Sequence, residues 1–166
     1  MLRNIVSLLT NMYLIKQLSQ YDEKCVYFGE PIKNNIVCDG NFIRLLYSSD
    51  TIVLNGIYLE VNFSEPLLEK HYNKRKCVFS TLNNEGLITK LSDIELNLLN
   101  LINMPKKTKH LKLLEQLNSG CIKFICETTQ PQRKSRLILK ISGIWETEHD
   151  YGLTFKFMVL LNNFVP

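Results

Sequence analysis

The chain has 166 residues, 45% of them apolar and 22% charged, which suits one domain, or one domain with an added arm, and excludes a disordered chain. Its longest apolar stretches are strand-sized, too short for a membrane-spanning helix. The net charge of +4 is uneven: residues 1–100 carry 10 basic against 11 acidic side chains, and residues 101–166 carry 10 against 5. A basic excess confined to the C-terminal part suits an anionic partner.

In chain order, Leu2, Ile5, Leu9, Met12 and Tyr13 recur at helical spacing, which predicts an N-terminal amphipathic helix over residues 1–20. A targeting peptide is the weaker alternative, because Asn4, Asn11 and Gln17 interrupt the apolar run. From Asn41 to Phe63 the pattern is a β-meander. Phe42–Tyr47 and Thr51–Leu54 flank the turn Ser48-Ser49-Asp50, and Asn55-Gly56 then leads into Ile57–Phe63. Asn-Gly between two β-rich runs is a strong hairpin signal, since both turn positions need positive φ. A polar, basic connector, Glu69 to Lys76, precedes a short strand near Cys77–Thr81.

The clearest helix is predicted to start at Ser92 as cap, with Glu95 completing a capping box and Leu91, Ile94, Leu98 and Leu101/Ile102 as its stripe. Pro105 ends it. A second helix, about Thr108 to Asn118, ends at Gly120. Strands return at Cys121–Glu127, Arg136–Trp145 and Leu153–Leu161, the last two joined through a loop over residues 146–152. Setting Gly143 opposite Phe155 puts Leu139, Ile141, Trp145, Leu153, Phe155, Phe157 and Val159 on the buried face. Lys140, Ser142, Thr154, Lys156 and Met158 then share the other face.

Strands, then helices, then strands predict an α+β chain: an OB-like small Greek-key β-barrel with two inserted helices and an N-terminal helical arm. The arm is residues 1–20 and the OB-like domain residues 21–166. A generic α+β sandwich is the alternative.

Composition bears on origin and redox state. Alanine is absent, while Leu, Asn, Ile and Lys number 27, 16, 15 and 15 against 5 Arg. No folding rule forbids alanine, and its codons are GC-rich, so the bias points to an AT-rich genome such as that of a virus, parasite or endosymbiont. Five cysteines without CxxC spacing indicate neither a disulfide framework nor a zinc site and suit a reduced, intracellular protein, in host cytoplasm or nucleus, that is not secreted.

Catalytic signatures are missing: no GxSxG, HExxH, P-loop or GxGxxG is present. The expectation is a non-enzyme without cofactor or metal. Glu146, Glu148, His149 and Asp150 form the one acidic cluster that could hold a divalent cation. Polar residues at a hairpin tip are the plainer reading, and a small metal-dependent nuclease the minor alternative.

Single-strand binding needs cations that track phosphates and aromatic faces that stack on bases. Basic residues cluster at Lys70/Lys74/Arg75/Lys76, Lys106/Lys107/Lys109/Lys112 and Arg133/Lys134/Arg136, with Lys123, Lys140 and Lys156 inside strands. Tyr72, Phe79, Phe124 and Tyr151 interleave with them. The candidate nucleic-acid-binding set is Lys74, Arg75, Lys76, Lys123, Arg133, Lys134, Arg136, Lys140, Lys156, Tyr72 and Tyr151. Codon bias toward lysine weakens lysine counts as an argument, so placement carries more weight than number.

The segments Leu137-Ile-Leu-Lys-Ile-Ser-Gly-Ile-Trp145 and Tyr151-Gly-Leu-Thr-Phe-Lys156 resemble the closing strands of OB-fold single-stranded DNA-binding proteins of phages and large eukaryotic DNA viruses. The resemblance covers about 25 residues, with agreement in element order over perhaps 120. It implies protection of single strands during viral DNA replication or recombination, without a cofactor, with Lys140, Trp145, Tyr151 and Lys156 in or beside the binding half. One departure is plain: the family's replicative members end in an acidic tail, whereas no acidic residue follows Asp150 here. The expected partner is single-stranded DNA, with RNA as the alternative, and no membrane. A homodimer through the apolar N- or C-terminal segments is a further expectation. The competing function is a non-enzymatic viral interaction or assembly protein docking through those same segments.

Overall fold

The computed structural model describes residues 15–33, 40–71, 74–125 and 135–161. Most of the expected N-terminal helix therefore lies outside the described residues, as does the end of the chain. Residues 15–20, its last part, are not α-helical. Lys16 runs beside Tyr58 and Leu59, donating its N–H to the Tyr58 carbonyl (2.9 Å) and accepting from Glu60 N–H (2.8 Å). A 3-10 turn, Leu18–Gln20, follows.

The chain is α+β. Ten strands are described: β1 Val26–Lys33, β2 Asn41–Ser48, β3 Val53–Asn55, β4 Ile57–Val61, β5 Leu67–His71, β6 Lys74–Val78, β7 Thr108–His110, β8 Cys121–Ile125, β9 Ser135–Glu146 and β10 Asp150–Leu161. Two helices, α1 Glu85–Ile102 and α2 Lys112–Asn118, lie between β6 and β8. The large sheet runs β1-β2-β9-β10-β7, with β3 also on β2 and β4 also on β9; the small sheet runs β5-β6-β8. The large sheet is open, ending in β1 on one side and β7 on the other among the described residues.

Where the expected barrel would close, the sheet forks. Residues Asn41–Arg44 of β2 pair with Gly143–Glu146 of β9, after which β2 continues along β3 and β9 along β4. Asn55-Gly56 sits in the crotch of that fork. It turns the chain as expected, but β3 and β4 pair with β2 and β9 rather than with each other. Gly56 has φ +100°, and a Cβ there would lie 2.6 Å from the Ile141 carbonyl oxygen, so only glycine fits both the angle and the space. Gly143 serves the opposite wall, where a Cβ would run into the Ile43 carbonyl and come within 2.7 Å of the Phe42 ring.

The β9–β10 register differs from expectation. Gly143 faces Thr154 and Ile141 faces Phe155, leaving Ser142 as a bulge. An extra residue inverts the face alternation downstream of it. Ile144, not Trp145, therefore joins Ile141, Leu139, Leu153 and Phe157 in the core, and Trp145 turns to the other face, half-buried. Phe155 and Val159 pack at the margin of that core.

The presumed connector at 69–76 is instead the β5–β6 hairpin, with Leu67 opposite Val78 and His71 opposite Lys74. α1 begins seven residues before Ser92, whose hydroxyl donates to the Ile88 carbonyl (2.7 Å) in mid-helix. It ends as Asn103 takes a left-handed conformation (φ 42°), just before Pro105. The second helix starts later than expected, because Thr108–His110 is claimed by a parallel ladder with β10. The helices, the inner face of the large sheet and Cys77, Ile122 and Phe124 of the small sheet share one core.

Candidate nucleic-acid interface

The bulge at Ser142 has its main consequence on the outer face of the large sheet. Lys140 and Lys156 become direct cross-strand partners, and Tyr58 of β4 sits opposite Lys140 on its other side. Period-2 alternation explains each placement: Ile57, Leu59 and Val61 point into the core, so Tyr58 points out. The Lys140 ammonium lies 5.0 Å from the centroid of the Tyr58 ring, within cation–π range. Lys156 is exposed and Lys140 half-buried, and neither has a carboxylate partner among the described residues.

Two like charges directly opposite on a sheet are destabilising unless something compensates. Among the described residues the Tyr58 ring lies against this pair, and the outward-facing Glu60, two residues on in β4, is itself engaged. Toward the fork, the same face carries Arg44 over Gly143, then Phe42 beside Trp145. Trp145 in turn packs against His110, ring centroids 5.8 Å apart. In the opposite direction Ile138 is buried, so the open strip runs from Lys140 and Lys156 toward Trp145.

The other candidates divide. Lys76 and Lys123 are cross-strand neighbours in the small sheet, and Lys76 is paired with Glu69 at 2.8 Å. Arg75 alternates to the opposite side, in the row of the buried Phe124, and is engaged there. Lys74 and Arg136 lie in strands β6 and β9, but their side chains are outside the described set. Tyr72, Arg133 and Lys134 also lie outside the described residues.

Tyr151 is a correction. It is 3% exposed, with its hydroxyl donating to the Leu99 carbonyl at 3.4 Å. It stands two residues before Leu153, and strand periodicity puts both on the core side, so its ring is not available for stacking. Phe79 and Phe124 are likewise core residues, Phe79 stacked on Phe63 at 3.9 Å between centroids. Sequence reasoning missed Tyr58 and Arg44 as site residues. Alternation in their own strands shows that both face outward, but only the long-range pairing of β4 and β2 with β9 puts them beside Lys140.

The hairpin tip is held by an ion pair and a histidine–carboxylate hydrogen bond. The Lys107 ammonium bonds Glu146 and the Thr147 carbonyl (2.7 Å), Asn41 donates to Glu146 (3.1 Å), and His110 meets Asp150 at 2.8 Å. Among the described residues no group of three or more His, Cys, Asp or Glu is arranged to hold a metal. The expected loop cluster is split between these two pairs and the exposed Glu148 and His149. The Lys107 hydrogen bond holds the Glu146 carboxyl below the ordinary carboxylate range, helped by Asn41 and opposed by burial. A lowered carboxyl stabilises the fold above its ordinary pKa and loses that contribution as pH falls through the lowered value. Lys107→Met should therefore cost about 1–3 kcal/mol at neutral pH and much less near pH 3, read as urea midpoints.

No protein family, curated protein or solved structure matches this chain.

Proposed function

We propose that the chain binds single-stranded nucleic acid across the outer face of its large sheet, tracking the backbone with lysines and stacking bases on exposed ring faces. The observation that carries this reading is the Lys140–Lys156 pair, held directly opposite without a carboxylate partner among the described residues and with Tyr58 alongside. Phosphate would relieve a repulsion that the fold itself leaves standing. Arg44, and the half-buried Phe42 and Trp145, extend the same surface with the residue types that single-strand binders use.

The finer expectations belong to this proposal. The forked sheet is taken as an opened relative of the OB-like Greek-key barrel, since a bulged strand shared between two partners is how such sheets turn corners. A viral role in DNA replication or recombination follows from the hairpin resemblance and agrees with the AT-rich codon bias. The test is fluorescence anisotropy of labelled oligo-dT and oligo-rU against salt. Affinity should fall steeply as salt rises, with a log–log slope of about −0.7 per phosphate contact. No binding to either strand at about 50 mM salt removes the proposal.

A further inference from the structure

A second surface lies on the helical side, with chemistry opposed to that of the sheet. Between the first half of α1, the turn before it and α2 runs an open groove of about 390 Å³. Ile88 and Leu114 line its apolar part, Glu85, Thr89 and Asp93 lie along α1, and Leu82 lines it from the turn. Leu82 is 85% exposed, the most exposed large apolar side chain among the described residues. Among the described residues no cation lines the groove. Neither the Glu85 nor the Asp93 carboxylate has an ion-pair partner among the described residues.

The sequence explains why this face exists. Residues 85, 88, 89, 92 and 93 fall at i, i+3, i+4, i+7 and i+8, one continuous stripe of a helix. Ile88, at the edge of this stripe, is shared with the core face of Leu91, Ile94, Leu98 and Leu99, while Glu85, Thr89 and Asp93 are exposed. α1 thus turns a polar, acidic face to the groove, with the buried Ile88 at its edge, Leu114 of α2 beside it and the exposed Leu82 at its mouth. An apolar floor with unpaired carboxylates beside it repels phosphate, so this face is unsuited to the nucleic acid proposed for the sheet. It suits a cationic, amphipathic peptide.

We infer that the groove docks a basic amphipathic helix of a partner protein. Apolar side chains of that helix cover Leu82 and the exposed part of Leu114, and Lys or Arg residues pair with Glu85 and Asp93. Charge complementarity commits the choice: the groove carries two uncompensated negative charges in a protein of net +4. Spacing narrows it further. Glu85 and Asp93 are eight residues apart on one helix, about 12 Å along its axis. A helix lying alongside presents matching cations at i and i+7 or i+8, with its apolar anchors at i+3 and i+4 between them. The inference stands on the groove alone and does not depend on nucleic-acid binding.

The test uses the full-length protein and a labelled leucine–lysine helical peptide with Lys at i and i+7 and Leu at i+3 and i+4. Saturable binding is expected, with affinity lowered at least about tenfold by Glu85→Lys with Asp93→Lys, both exposed positions where charge reversal leaves the core untouched. Leu82→Asp should weaken binding as well, whereas Asp50→Lys, a reversal far along the chain in a turn, should not. Lys140→Glu with Lys156→Glu should leave peptide affinity unreduced while nucleic-acid binding falls, which separates the two sites. Equal binding by the Glu85/Asp93 reversal overturns the inference. So does competition by a peptide of residues 1–14 at an affinity matching the probe, which would assign the groove to this chain's own N-terminal segment.

Discussion

Replacing Lys140 and Lys156 together by glutamate is expected to lower oligo-dT affinity by about a hundredfold at moderate salt and to flatten its salt dependence. Two lost phosphate contacts reduce the log–log slope by about 1.4, from the single-strand value of roughly 0.7 per contact. The milder pair Lys140→Gln and Lys156→Gln removes the contacts without adding repulsion, and should give the same slope change with a smaller loss of affinity. Stability provides the discriminating sign. Because the two ammonium groups sit directly opposite on neighbouring strands, a single Lys156→Gln should raise unfolding free energy by a few tenths of a kcal/mol, about the cost of one like-charge cross-strand pair. A lysine pair kept for folding would lower stability when removed. A pair kept for a ligand lowers binding and raises stability, the signature expected where a site is held at the expense of the fold. Tyr58→Ala should cost a further 1–3 kcal/mol or so of binding if bases stack on that ring, with Tyr58→Phe close to wild type. Unchanged affinity in the lysine double variants would remove this face as the interface.

How far the sequence led can be judged from particular residues. The β-rich run Ile57–Phe63 contains β4, Ile57–Val61, and the pair of long strands at the C-terminus was plain from its β-rich runs. What failed was register. A single bulged residue, Ser142, is invisible to periodicity because serine suits either face, yet it exchanges Trp145 for Ile144 in the core. It also turns a diagonal lysine arrangement into a direct one. Tyr151 was legible and misjudged: it shares parity with Leu153, which the same pattern had already assigned to the core. The start of α1 was missed for another reason. Ser92 followed by Glu95 satisfies the capping-box spacing, but a serine can equally bond back to the carbonyl four residues earlier, and here it does. The 69–76 segment was too polar to suggest strands, because the outer face of its hairpin carries Glu69 and Lys76 as a cross-strand ion pair. Long-range pairing supplied what local propensity lacked.

Glu95 is the residue whose role was most displaced, and its substitution is expected to be the most damaging to the fold. It is fully buried at 0% exposure, and its two carboxylate oxygens accept the backbone N–H groups of Leu113 (2.9 Å) and Leu114 (2.8 Å). Those are first-turn donors of α2, whose own N-cap position is Leu111 and offers no side-chain acceptor. A carboxylate from the middle of α1 thus caps α2, and its negative charge suits the positive end of that helix. Removing it strands two buried donors at about 1–3 kcal/mol each. Glu95→Ala is expected to cost on the order of 3 kcal/mol or more, and Glu95→Gln less, since its one carbonyl oxygen can serve only one of the two donors well. The pH dependence is distinctive. Burial raises the Glu95 carboxyl above its ordinary pKa despite the two hydrogen bonds, which act to lower it. The folded chain therefore holds the Glu95 proton longer than the unfolded chain does. Its contribution is fully present below the ordinary carboxylate pKa of about 4.3 and is lost as pH rises through the folded value. Glutamine does not titrate and has one carbonyl oxygen like the protonated acid, so wild type should lose stability relative to Glu95→Gln as pH rises from acid toward neutrality, opposite to the trend for Lys107→Met. Urea midpoints for the three proteins between about pH 4 and 7 decide the matter. A wild-type advantage that widens as pH rises would mean that the two N–H bonds outweigh burial and hold the carboxylate low. No loss in either Glu95 variant would mean that α2 keeps its start without this cap. The stake extends beyond stability, because Leu114, whose N–H Glu95 holds, lines the acidic groove. Loosening this cap should therefore weaken peptide docking on the helical side while leaving the lysine face of the sheet intact.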